Sequence, residues 1–314
     1  MKFIKLAILV GVLAMPLSAQ NLIGWISTGA GPQLSTIDPT DGSVSFIGGG
    51  PVVGTTVGLQ GITAIDTAAN RFFFIGIPSM STASIYTANL ATGALSDGPH
   101  TLSQTNLMGI RYDQTDDVLY GMFIVAAGNR QAGTIDPTTG AVTLLGSPLG
   151  SIATNFGGVA IDEANSLLFF RGLVGTWNLY RVSQGAGTQT NVALNPDPGN
   201  FLGWAYDAGE TTLFALYNPG SNRQLGTVNV STGAVTDIGS AIAVASSPAI
   251  TAFDADGNRY FFIATPTVGN LSIFTVNTGT GAATSQELPV GTNVITMEYD
   301  PGSLPVELTS YEVY

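Results

Sequence analysis

Thr134-Ile135-Asp136-Pro137-Thr138-Thr139-Gly140-Ala141-Val142-Thr143-Leu144-Leu145-Gly146 reads as two short apolar runs around a turn. Asp136 can accept backbone N–H bonds, Pro137 presets φ, and Gly140 supplies a position with φ > 0, so the stretch predicts a β-hairpin. The hairpin recurs. Its glycine returns at Gly42, Gly93, Gly140, Gly187, Gly233 and Gly281, at intervals of 46 to 51 residues. A second series interleaves with the first and ends in Asp66, Asp113, Asp162, Asp207, Asp254 and Asp300, as in G-I-T-A-I-D, M-G-I-R-Y-D and I-T-M-E-Y-D, at intervals of 45 to 49 residues. Two independent series therefore agree on six units of one length.

Within residues 61–96 one unit reads as four strands. A strand of small residues ends at Asp66, whose side chain is placed for an Asx turn, and Arg71 to Ile75 form an apolar second strand. Ala83 to Leu90 are the third, and Ala94 to Ser96 begin a short fourth after Gly93. Repeated four-stranded meanders of this length predict an all-β, six-bladed β-propeller of antiparallel blades. Phase predicts how the ring closes, because Gly42 precedes the first inner strand and no hairpin follows the last, Val294 to Asp300. The N- and C-terminal strands should share one blade. Phe72 to Phe74, Tyr120, Phe169, Phe170, Phe214 and Tyr260 to Phe262 are expected to fill the space between blades.

Composition agrees with a folded all-β chain: 45% of residues are hydrophobic, 10% are charged, and 40 glycines and 16 prolines punctuate short β-rich runs. No cysteine is present, which excludes disulfides, thiolate metal sites and a Cys nucleophile. Lys2 and Lys5, an apolar run from Leu6 to Met15, Pro16, Ser18 and Ala19 follow the layout of a secretory signal peptide, cleaved after Ala19 or Gln20. The expected organisation is thus signal peptide 1–20, propeller 21–302 and tail 303–314. Loss of both lysines leaves 7 arginines against 21 acidic residues, a charge of −14, which disfavours nucleic acid and anionic lipid surfaces. No membrane span is expected, and the mature chain should be a secreted or periplasmic monomer.

The tail residues Leu304-Pro305-Val306-Glu307-Leu308-Thr309-Ser310-Tyr311 resemble the linker that precedes a C-terminal type IX sorting domain in secreted Bacteroidetes proteins. With the sequence ending at Tyr314, the sorting domain itself is expected to be missing. The I-D-P-T-T-G repeats resemble secreted bacterial propeller repeat proteins. Together these resemblances imply lineage and export, and carry no activity.

Candidate binding residues fall on one side of the ring. Asn106, Asn155, Asn200 and Asn293 each stand seven residues before an inner-strand aspartate; Leu59, with Gln60 beside it, and Ser247 hold the other two places. Such loops can surround one mouth of a central channel, where neutral amides suit a glycan, a protein or a cation. The same amides could instead satisfy backbone groups at strand starts. N-R-Q-A-G-T and N-R-Q-L-G-T place Arg130 and Arg223 at third-strand starts on the same face, as candidate partners for an anionic group.

Catalytic signals are sparse. His100 is the only histidine, and no G-x-S-x-G elbow occurs. Asp254-Ala255-Asp256-Gly257-Asn258 begins like a calcium loop, but Thr265 stands where an EF-hand needs Glu, so it reads as a turn. Six-bladed lactonases hold a central calcium with Glu, Asp and Asn; Glu298 is the one carboxylate placed inside an inner strand here. The expectation is a non-catalytic extracellular binding or scaffold propeller without catalytic residues. The alternative is a calcium-dependent lactonase or hydrolase, with Ca2+ the only cofactor left open.

Overall fold

The computed structural model describes residues 22–28, 31–48, 50, 62–79, 82–150 and 158–301. The signal-peptide segment, the tail from 302, and the candidates Gln60 and Asn155 lie outside the described residues. Within them the chain forms six antiparallel sheets arranged as the blades of a propeller, with one short 3-10 turn at Ala126–Gly128. We number the blades 1 to 6 from the first complete one.

Blade 1 runs Thr63–Asp66, Arg71–Ser79, Thr82–Asn89, Leu95–Thr101 from axis to rim. Blade 2 runs Leu107–Asp113, Val118–Ile124, Arg130–Ile135, Val142–Leu144. Blade 3 runs Val159–Asp162, Leu167–Val174, Thr176–Ser183, Gln189–Ala193. Blade 4 runs Asn200–Asp207, Thr212–Asn218, Arg223–Val228, Val235–Ile242. In blade 5 the inner strand is split into Val244–Ser246 and Thr251–Asp254, ahead of Arg259–Pro266, Ser272–Asn277 and Ala283–Glu287.

Blade 6 is made from both ends of the chain. Leu22–Thr28 is its second strand and pairs on one side with Gly31–Ile37. On its axial side it pairs with Asn293–Val294, through Ile26↔Val294, and with Glu298–Tyr299, through Leu22↔Tyr299. The predicted closure is therefore observed. Each inner strand also contacts the next around the axis, and blade 6 meets blade 1.

Packing follows from alternation along the second strands, whose side chains point to both faces in turn. Phe72 and Phe74 join Ile23, Trp25 and Leu34 between blades 6 and 1, while Phe73 and Ile75 join Leu107, Ile110 and Phe123 between blades 1 and 2. The same pattern gives one apolar cluster at each of the six seams. The predicted interblade aromatics are all buried, and each contributes roughly 1.5 to 3 kcal/mol.

The recurring hairpin serves these seams. All six turn glycines have φ between +64° and +77°, and in the founding turn Thr138 N donates to Asp136 Oδ1 at 2.8 Å. A Cβ on Gly140 would lie 2.4 Å from the Thr101 carbonyl oxygen of blade 1's outer strand. Equivalent Cβ atoms on Gly42, Gly93 and Gly233 would meet Glu287, Ile47 and Ala193 carbonyls at 2.2, 2.2 and 2.0 Å. The repeat keeps glycine because backbone from the neighbouring blade occupies the place of a side chain.

Gly140→Ala combines left-handed strain with a backbone clash and should cost about 2 to 4 kcal/mol in urea unfolding. Gly220→Ala, at φ +70° with nothing within 4 Å, should cost only about 1 kcal/mol. Truncation after Thr292 removes the buried Val294, Met297 and Tyr299, together roughly 5 to 9 kcal/mol, comparable to a whole domain's net stability. The truncated chain should show no cooperative thermal transition.

Candidate functional site

Each inner strand starts at one face of the ring and ends in its aspartate at the other. Loops between second and third strands open on the starting face, so Asn106, Asn200, Asn293, Arg130 and Arg223 are all brought to that side. Asn106, Asn200 and Asn293 are exposed. Ile124 N donates to the Asn106 carbonyl at 2.7 Å. Asn293 opposes Ser27 in the closing blade, and Asn200 opposes Asn218.

The two arginines turn inward. Arg223 is 7% exposed, and its Nη1 donates to the carbonyls of Ser221 and Asn222 at 3.2 and 3.0 Å. Arg130 donates to the Gly128 carbonyl, and burial lowers the pKa of both guanidiniums. A third arginine was not anticipated as part of this face: Arg171, 4% exposed, lies 3.7 Å above the Trp177 ring and 4.7 Å from that of Phe201. It donates to Gly199 O at 2.7 Å and Asn200 Oδ1 at 3.3 Å, and burial brings its pKa down to about 10. Asn200 is thus held by a buried cation as well as presented to solvent.

The aspartate ends are occupied by their own turns. Asp66 accepts from Ala69 N at 3.0 Å and Arg71 Nε at 2.7 Å, and Asp254 accepts from Gly257 N at 2.9 Å and Arg259 Nε at 2.7 Å. The calcium-like segment is therefore a turn, with Asn258 at φ +52° as its left-handed residue. Tyr206 of blade 4 reaches Asp162 of blade 3, and burial with that carboxylate pushes its hydroxyl pKa up to about 12. Grooves of about 710 and 550 Å3 open on this face at the seams 3/4 and 1/2, beside Tyr206 and Tyr112.

Between the two faces lies an axial cavity of about 150 Å3. Two residues before the aspartate, the inner strands carry Ala64, Arg111, Ala160, Ala205, Ala252 and Glu298. Small side chains suit the crowded axis, and the two exceptions meet. Arg111 Nη1 stands 3.6 Å from Glu298 Oε1, which also accepts from Thr63 Oγ1 at 2.8 Å. Arg111 Nη1 further donates to Ile110 O at 2.9 Å and Thr63 O at 3.3 Å. Burial raises the Glu298 pKa, and Arg111 and Thr63 oppose that shift. Sequence reading placed Glu298 on the axis but missed Arg111, although the aligned inner strands show both as departures from alanine. Among the described residues, no three His, Asp or Glu side chains converge as a metal site.

No family model matches the chain, and no curated protein matches it. Solved structures do. TolB from Acinetobacter baumannii superposes with a TM-score of 0.64 at 14% identity, covering 92% of this chain and 69% of that one. A chain of a nidogen/laminin complex gives 0.63 at 12% identity, over 89% and 98%. A Bacteroides fragilis protein provisionally assigned as a 6-phosphogluconolactonase gives 0.54 at 10% identity, over 91% and 99%. At these identities the likeness is one of fold.

A carboxyl whose folded pKa is raised above its unfolded value favours the folded state below the unfolded pKa and loses that contribution as pH rises through the folded one. Glu298→Gln mimics the protonated form. Its melting temperature should match the native chain at about pH 4 and exceed it at about pH 8, with the gap opening as pH rises. A gap that closes with rising pH would contradict this account of the axis.

Proposed function

We propose that this chain is a secreted, monomeric and non-catalytic binding propeller that recognises an extracellular glycan or protein through the face where its inner strands begin. The observation that carries the reading is the exposure of Asn106, Asn200 and Asn293 at equivalent strand starts around that rim. Amide side chains offer donor and acceptor together, as sugar hydroxyls and peptide groups require. Val268 and Val290, 89% and 90% exposed on the same face, add apolar contact. Propellers of this fold include a chain of a nidogen/laminin complex, which supports a role in protein recognition. An acidic surface and the signal-peptide-like leader agree with export.

A second reading, a calcium-dependent lactonase or hydrolase, draws support from the fold shared with the Bacteroides fragilis protein. It would require Glu298 to leave Arg111 and Thr63 and turn to a metal.

Purified residues 21–314 on a glycan array, beside the double variant Asn106→Ala, Asn293→Ala, which leaves the Arg171 partner Asn200 in place, test the rim. Binding should fall at least about tenfold while the melting temperature stays within about 2 °C. Equal binding by both proteins would refute the rim as the recognition surface, and a large fall in melting temperature would assign the asparagines to stability. Lactone hydrolysis that depends on added Ca2+ would favour the second reading.

A further inference from the structure

The axial cavity is polar in an unusual way. Arg111 spends Nη1 on all three of its contacts, so Nε and Nη2 have no partner among the described residues. Glu298 spends Oε1 on Thr63 and Arg111, which leaves Oε2 in the same position. Tyr260 is fully buried, and its hydroxyl stands beside Thr251 without closing a hydrogen bond of normal geometry. Arg111, Glu298, Tyr260 and Thr251 line one cavity. The Tyr260 hydroxyl is buried without a partner and costs free energy there, while Arg111 and Glu298, 21% and 16% exposed, keep their unspent donors and acceptors open to whatever enters the cavity.

Size and charge narrow that partner. A cavity of about 150 Å3 is the volume that accepts benzene in an apolar protein interior, or a molecule of about six heavy atoms. A lone anion would face Glu298 and a lone cation would face Arg111. A molecule bearing both charges on adjacent atoms satisfies both ends, with its carboxylate on the planar Nε/Nη2 edge and its ammonium on Oε2. Trp204 and the Ala205 methyl complete the lining with apolar surface.

The geometry points to a binding site for a small zwitterion of the α-amino-acid class on the propeller axis, held between Arg111 and Glu298 and distinct from the rim. The remaining alanines at this level make room for the ligand, while Tyr260 and Thr251 offer hydroxyls to a side chain or to an accompanying water.

Isothermal titration of residues 21–314 with glycine, L-alanine and L-serine tests this, with acetate, ethylamine and sodium chloride as single-charge probes. At least one amino acid should bind saturably with a Kd at or below about 1 mM, and each single-charge probe at least about tenfold more weakly. Arg111→Gln should weaken that binding at least about tenfold. Ala205→Leu, which narrows the cavity while leaving the ion pair in place, should abolish it with the far-UV spectrum retained. No saturable heat from any amino acid at about 10 mM would overturn the assignment. Acetate or chloride binding as tightly as the zwitterion would also overturn it, as would binding undiminished in a folded Ala205→Leu protein.

Discussion

Burial of the second strands on both faces is the constraint from which the rest of this molecule follows. Phe72, Phe73 and Phe74 are consecutive and all fully buried, which is possible only if apolar surface lies on either side of their sheet. A single blade would leave both of those faces in water. Each blade therefore depends on two neighbours, and the chain of dependence ends only when the sixth sheet touches the first. The pairing of Leu22–Thr28 with Asn293–Val294 and Glu298–Tyr299 closes that circle.

Polar groups are arranged to suit this packing. At one face Asp66, Asp113, Asp162, Asp207 and Asp254 accept from the backbone of their own turns, and arginines such as Arg71 bridge to the next blade, reaching Asp117 at 2.9 Å. Toward the rim the hairpin glycines let successive blades approach through backbone alone. The opposite face and the axis are arranged differently. There the sixfold repeat is broken, by Arg111 and Glu298 at one level and by the Asn200–Arg171–Trp177 cluster at another. Departures from the repeat, more than the repeat itself, mark where chemistry can differ from structure.

The fold was legible because its signals are local and repeated. Gly140 needs φ > 0, Asp66 needs turn donors, and the phenylalanines need two apolar faces; each requirement is written within a few residues and then copied around the ring. The sharing of one blade by both termini followed from phase alone. The site was less legible, since it depends on side chains from different blades. Arg130 and Arg223 were expected as cations facing an anionic group, and the backbone indeed starts its third strands on that face. Their guanidiniums turn back to carbonyls, a choice made by loop geometry that spacing cannot show. Arg111 sits 187 positions from Glu298 in the chain, so only the alignment of inner strands at the axis reveals the pair.

The shared blade also has a consequence for a chain made from its N-terminus onward. Leu22–Thr28 is synthesised first, yet the strand that covers its axial edge is among the last described residues to leave the ribosome. Until then its hydrogen-bonding edge stands open, and five other sheets must wait for the ring to lock. Vectorial synthesis therefore handles an unsealed molecule, and any factor that shields an open strand edge acts on this protein before its sixth blade exists.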